Sequence, residues 1–215
     1  MTELEQEWGT AAIAAPPPGA PVPWEDPELS GLAGFFRTLR EVLFRPGEFF
    51  QNLGREGWAE PLAFALIVSS VGLLGALFWQ FLVLARSGLD PGVQAALMAG
   101  APVLVLANLG VGGICWLGSV ALVGGGRDFT PAWRVFCYAQ GGMVLVLIPF
   151  FGMVVAGFWV LALLYCGVRR AYGLSAGGSL GALTVFLSLQ AVLALLLVLS
   201  LAVALACLGF LLLLG

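Results

Sequence analysis

Residues 131–168 read PAWRVFCYAQGGMVLVLIPFFGMVVAGFWVLALLYCGV, and the way this run is divided decides the fold. It is apolar well beyond one crossing of a bilayer, whose core of about 30 Å takes about 20 helical residues. One break interrupts it, Pro149-Phe150-Phe151-Gly152. Two readings fit: a tight helical hairpin, or one long kinked helix. The run is too long for a single crossing, which favours the hairpin, and the arginines agree.

Outward from this run lie other apolar stretches, giving expected spans at about 61–85, 98–123, 131–148, 150–168 and 179–210. With five crossings and a cytoplasmic N-terminus, Arg37, Arg40, Arg45, Arg55, Arg127, Arg134, Arg169 and Arg170 fall inside and only Arg86 falls outside. That is the positive-inside bias of helical membrane proteins. A single kinked crossing would send Arg169 and Arg170 to the outer side. The expectation is therefore an all-α integral membrane protein of five transmembrane helices, its C-terminus outside. The last apolar run has no internal turn and reads as one long or tilted helix.

Composition agrees. The chain is 60% hydrophobic and 10% charged, where a soluble domain carries about 25% charged residues. Its net charge is −3, with no Lys and no His. No basic surface exists for nucleic acid, and the commonest general base and metal ligand is missing. Cys115, Cys137, Cys166 and Cys207 each sit in an apolar run without CxxC spacing, as small buried side chains do. No catalytic, cofactor-binding or metal-ligating set is expected.

Three regions follow. Residues 1–30 are acidic and rich in Pro and Ala, a composition that reads as a flexible tail, without the basic and apolar regions of a signal peptide. Residues 31–56 form an amphipathic interfacial segment. Leu32, Phe35, Phe36, Leu39, Val42 and Leu43 recur at helical spacing, Arg37, Thr38, Arg40 and Glu41 take the other side, and Ser30 is the expected N-cap. Pro46 and Gly47 interrupt it, and Phe49 and Phe50 follow. Phe35, Phe36, Arg37, Arg40, Phe49 and Phe50 are the expected interfacial anchors, meeting either lipid or the protein's own helices. Residues 57–215 are the five-helix membrane domain.

Polar residues inside the spans are the candidate functional positions. Asn108, Tyr138, Gln140, Tyr165, Thr184, Ser188 and Gln190 need partners in lipid. They read as interhelical hydrogen bonds, with a polar path between spans two, three and five as the alternative. Arg134 is expected at the cytoplasmic end of span three, reaching headgroups or Asp128, because a charge at mid-bilayer is costly. Tyr138 lies one turn below it on the same face, with Asn108 as the natural deeper contact. A competing reading has Arg134 binding an anionic ligand in a cavity. Gly72 and Ala76, and Gly110, Gly112, Gly113 and Gly118, supply small helix faces.

Three stretches, LREVLFRPGEFFQNL (39–53), GGGRDFTPAWRVFCYAQGGMVLVLIP (124–149) and GVRRAYGLSAGGSLGAL (167–183), resemble the bacterial branch of the Yip1-domain family. The likeness covers about residues 35–205 and departs at one point. A Pro usually follows the motif Tyr, whereas Tyr138 is followed by Ala139, Gln140, Gly141 and Gly142. The resemblance implies five spans and no enzyme activity. Eukaryotic relatives associate with small GTPases and with one another, and some bacterial relatives are linked to ATP-driven export. The function expected first is a non-enzymatic membrane scaffold or adaptor that binds membrane proteins, itself included, or shapes lipid organisation in a bacterial inner membrane. A transporter, channel or export accessory subunit comes second and a membrane enzyme third.

Overall fold

A computed structural model describes residues 22–54, 56–84, 90–124 and 128–214. Residues 1–21 of the expected tail, and Arg55, Arg86 and Arg127 of the arginine count, lie outside the described residues. The described elements are helical: α1 (Gly31–Phe44), α2 (Pro46–Gln51), α3 (Ala59–Leu84), α4 (Pro91–Leu122), α5 (Thr130–Ala139), a 3₁₀ helix (Gln140–Leu147), α6 (Gly152–Tyr172) and α7 (Ala176–Leu214). Among the described residues, four stretches are long and apolar enough to cross a bilayer: Ala59–Val83, Val105–Leu122, Gly152–Tyr172 and Ala176–Ser200. The last apolar run is one continuous helix of 39 residues. The second extends back to Pro91, where the Asp90 carboxylate accepts hydrogen bonds from the Gly92 and Val93 amides.

The third expected span differs in form. It is ten residues of α-helix followed by eight of 3₁₀ helix, the change falling at Gln140. Glycine is a poor helix former, exceeded only by proline, and Gly141 and Gly142 follow directly on the change. Close packing holds the altered form. A Cβ on Gly142 would lie 2.9 Å from Val160 Cγ2 of α6, and one on Gly72 of α3 would lie 2.7 Å from the Met143 carbonyl oxygen. Because a 3₁₀ residue rises about 2.0 Å and an α residue about 1.5 Å, Thr130–Leu147 reaches about 31 Å.

The break at 149–152 is a hairpin. Phe150 takes φ 62 in the left-handed region, and the Phe151 amide donates to the Pro149 carbonyl at 2.7 Å. Gly152 tucks under the preceding helix, where a Cβ would lie 2.6 Å from the Leu145 carbonyl oxygen. α6 then returns antiparallel, with Gly142 against Val160 and Gly167 against Val135. α4 and α7 pair likewise, joined by Trp116 edge-on to Phe186 at 5.6 Å and by Gly112 beside Gln190. The core includes Phe64, Val68, Val135, Tyr138, Leu163, Leu164 and Val168. Leu74, Phe78, Phe158, Val192 and Leu197 point outward, as lipid-facing side chains do.

Two features of the N-terminal region depart from the sequence reading. Residues 22–30, assigned by composition to the tail, fold back onto the bundle: Val22 is buried, and the Glu25 amide donates to the Val22 carbonyl at 2.8 Å. Aromatic and ionic contacts offset the entropy of ordering this stretch. As a result α1 is turned from its expected orientation. Ser30 does cap it, accepting from the Ala33 amide at 3.3 Å. Yet Thr38, expected on the solvent side, is fully buried, while Leu32 and Phe36 of the apolar stripe are 74% and 62% exposed. The folded-back segment covers Gly34 and Thr38. Phe35 and Leu39 pack on the core, and the remainder of the stripe faces outward.

Candidate functional site

α5 begins in a fixed position. The Asp128 carboxylate accepts from the Thr130 amide at 2.9 Å. Trp116 of α4 donates its indole N–H to the Ala132 carbonyl at 2.9 Å. Tyr172 of α6 accepts from the Ala132 amide at 3.1 Å and donates to the Asp128 carbonyl at 2.7 Å. These bonds tie neighbouring helices to the first turn of α5, one turn before Arg134.

Arg134 is 1% exposed and ion-paired, and its partner is Glu25, not Asp128. Its Nη2 donates to both Glu25 oxygens, at 2.7 and 2.8 Å. Its Nη1 donates to the Glu56 carbonyl and, at 3.4 Å, to the Gly57 carbonyl. The Tyr138 hydroxyl, one turn along, donates to the same Glu25 carboxylate, and the Arg134 guanidinium lies 5.8 Å from the Tyr138 ring centre. Gly57 makes the carbonyl contact possible: it sits at φ 84, and a Cβ there would crowd Glu60 Oε2 at 3.0 Å. A buried charge needs such pairing and hydrogen bonding to be tolerated.

Glu25 is held in place by its neighbour Trp24. The Trp24 indole donates to the Glu60 carbonyl at 2.8 Å, and its amide donates to Thr38 Oγ1 at 2.9 Å. Its ring packs against Phe35 at 6.0 Å and Phe64 at 6.4 Å, and Phe64 in turn meets Tyr138 at 5.2 Å. Pro23 passes so close to α1 that a Cβ on Gly34 would lie 2.4 Å from the Pro23 carbonyl oxygen. Trp24, Glu25 and Thr38 are the site residues that sequence reading missed. The available sign was Val22-Pro23-Trp24, an apolar and aromatic group inside an otherwise acidic stretch.

The other candidates separate from Arg134. Tyr138 faces α2 and α3, not Asn108. Gln140, six positions beyond Arg134, turns the opposite way into a partly open cleft of about 140 Å³ with Asn108 of α4 and Gln190 of α7. The cleft is otherwise mostly apolar, lined by Phe136, Met143, Leu164 and Phe186 among others. Of the six interfacial candidates, Phe36, Arg37 and Arg40 are exposed, with Arg37 paired to Glu41 at 3.3 Å. Phe35 is half-buried, while Phe49 and Phe50 turn into the bundle, Phe49 meeting Tyr138 at 5.2 Å. Gly112 and Gly113 pack against Phe136 and Trp133, whereas Gly110 and Gly118 face open space. Among the described residues no group of His, Cys, Asp and Glu is placed to hold a metal ion.

A helical bundle with apolar outward faces and a buried ion pair at one end defines a polytopic integral membrane protein. The Yip1 domain matches residues 40–214. The chain belongs to the Yip1-domain family. No curated protein and no solved structure matches it.

Proposed function

We propose that this chain is a non-enzymatic membrane scaffold or adaptor with five crossings, N-terminus in the cytoplasm and C-terminus outside, in a bacterial inner membrane. The observation that carries it is the use made of the buried charge. Arg134, the only buried charged side chain among the described residues, is neutralised by the chain's own Glu25 and tied to backbone carbonyls. It fastens the N-terminal segment to the bundle. The large outward apolar surface is what remains for lipid and partner helices. The fifth crossing is α5 with its 3₁₀ continuation, whose reach of about 31 Å equals a bilayer core. α1 lies along the inner interface with Phe36, Arg37 and Arg40 toward lipid.

One observation favours the second reading, transport or channel activity alone or within an export system: Asn108, Gln140 and Gln190 converge on one cleft. Two experiments decide between them. Photo-reactive side chains at Phe158 and Leu197 in native membranes should give discrete, saturable protein adducts; lipid adducts alone at both positions would sink the scaffold reading. Purified protein in sealed vesicles should pass no entrapped ions or small solutes. Flux that disappears on Gln140→Leu would promote transport to first place.

A further inference from the structure

The donors of Arg134 are unevenly used. Both Glu25 oxygens sit on the single nitrogen Nη2, Nη1 is directed to two carbonyls, and the buried Nε–H has no acceptor. Guanidinium groups grip carboxylates best through two nitrogens at once, and a buried donor without a partner is costly. A planar carboxylate held on Nη2 and Tyr138 leaves Nε bare. A lipid phosphate has two free oxygens, set farther apart on tetrahedral phosphorus than those of a carboxylate, and each takes more than one hydrogen bond. It can accept from Nη2, Nε and the Tyr138 hydroxyl together.

The occupant is also separable from its site. Residues 22–26 are not part of any helix and are held through Trp24 and Glu25. The Glu25 side chain is 18% exposed although Arg134 beneath it is not, so the pocket opens where Glu25 leaves. It lies beside α1, whose exposed Leu32, Phe36 and Phe44 give this end of the bundle an apolar border suited to the headgroup boundary.

We propose that Arg134 and Tyr138 form a binding site for a phosphate group, that of an anionic lipid headgroup, and that Glu25 is its built-in substitute. Headgroup binding displaces residues 22–26 and uncovers Gly34 and Thr38 of α1. The inference rests on the chain being a membrane protein and not on which partner it holds. The scaffold reading is tested by adducts elsewhere on the surface, so the two fail separately.

The test uses the full chain in maltoside micelles, which contain no phosphate, with phosphatidylglycerol added to one set and inorganic phosphate to another, followed by amide hydrogen exchange. Phosphatidylglycerol should raise exchange at the Trp24 and Glu25 amides by about tenfold or more, as loss of charged hydrogen bonds implies. Glu25→Gln should retain more phosphatidylglycerol than wild type in native mass spectrometry. Tyr138→Phe, which removes one hydroxyl, should retain less. A response to inorganic phosphate alone upholds the site and assigns it to a soluble ligand. Unchanged exchange with both additives overturns the proposal, as does equal lipid retention by wild type, Glu25→Gln and Tyr138→Phe.

Discussion

Replacing Glu25 by Ala tests the buried ion pair directly. It removes the two Arg134 contacts at 2.7 and 2.8 Å and the acceptor of the Tyr138 hydroxyl. Breaking one side of a buried ion pair costs about 3–5 kcal/mol. Glu25 is 18% exposed, so water enters where the carboxylate was, and the Glu56 and Gly57 carbonyls still hold Nη1. These two effects bring the expected loss down to about 2–3 kcal/mol. The assay is reversible unfolding in mixed micelles followed by circular dichroism. Arg134→Met alone should also destabilise, since it leaves the Glu25 carboxylate without its counter-charge and the Glu56 carbonyl without its donor. The double substitution removes both charges and should be more stable than the sum of the single losses implies, by about 1–3 kcal/mol. A Glu25→Ala protein within about 0.5 kcal/mol of wild type, or strictly additive losses, would refute the reasoning.

Thr38→Val keeps the shape of the side chain but removes the acceptor of the Trp24 amide. Stability should fall by about 1 kcal/mol, with exchange rising at Trp24 and not in α3; unchanged Trp24 exchange would show the segment undocked. Gly167→Val should cost about 2 kcal/mol or more by overpacking, because a Cβ there would lie 2.4 Å from Val135 Cγ1. Adding Val135→Ala should recover most of the loss in thermal unfolding, and failure to recover would mean that α5 and α6 cross elsewhere. Cysteines placed at Ser30 and after Gly215 should label from opposite sides of sealed vesicles. Labelling from the same side would rule out five crossings.

The apolar runs and their breaks were legible because hydropathy and turn residues act locally. Pro149-Phe150-Phe151-Gly152 marks the hairpin, and α7 carries no turn signal and is unbroken. Arg134 and Tyr138 stood out as polar groups one turn apart on an apolar helix. Their partner did not, since Glu25 looks like the other acids of its stretch and only the folded chain distinguishes it. Thr38 was misplaced for a related reason. The polar side of α1 is polar in sequence, but Pro23 and Trp24 cover part of it, and a periodicity argument on one helix contains no information about a segment folding back. The 3₁₀ form over Gln140–Leu147 depends on how closely α3 and α6 approach, which glycine spacing suggests but does not fix.

Glu25 and Arg134 are separated by 109 positions, and this interval has a meaning in time. At a synthesis rate of about 5–20 residues per second, Glu25 exists for roughly 5–20 seconds before Arg134 is made. During that interval α3 and α4 are produced, and the acid waits with Trp24 beside an incomplete bundle. When α5 arrives it brings an arginine whose counter-charge is already in place on the nascent chain. Closure of the pair therefore has to wait until both intervening helices, α3 and α4, have been made.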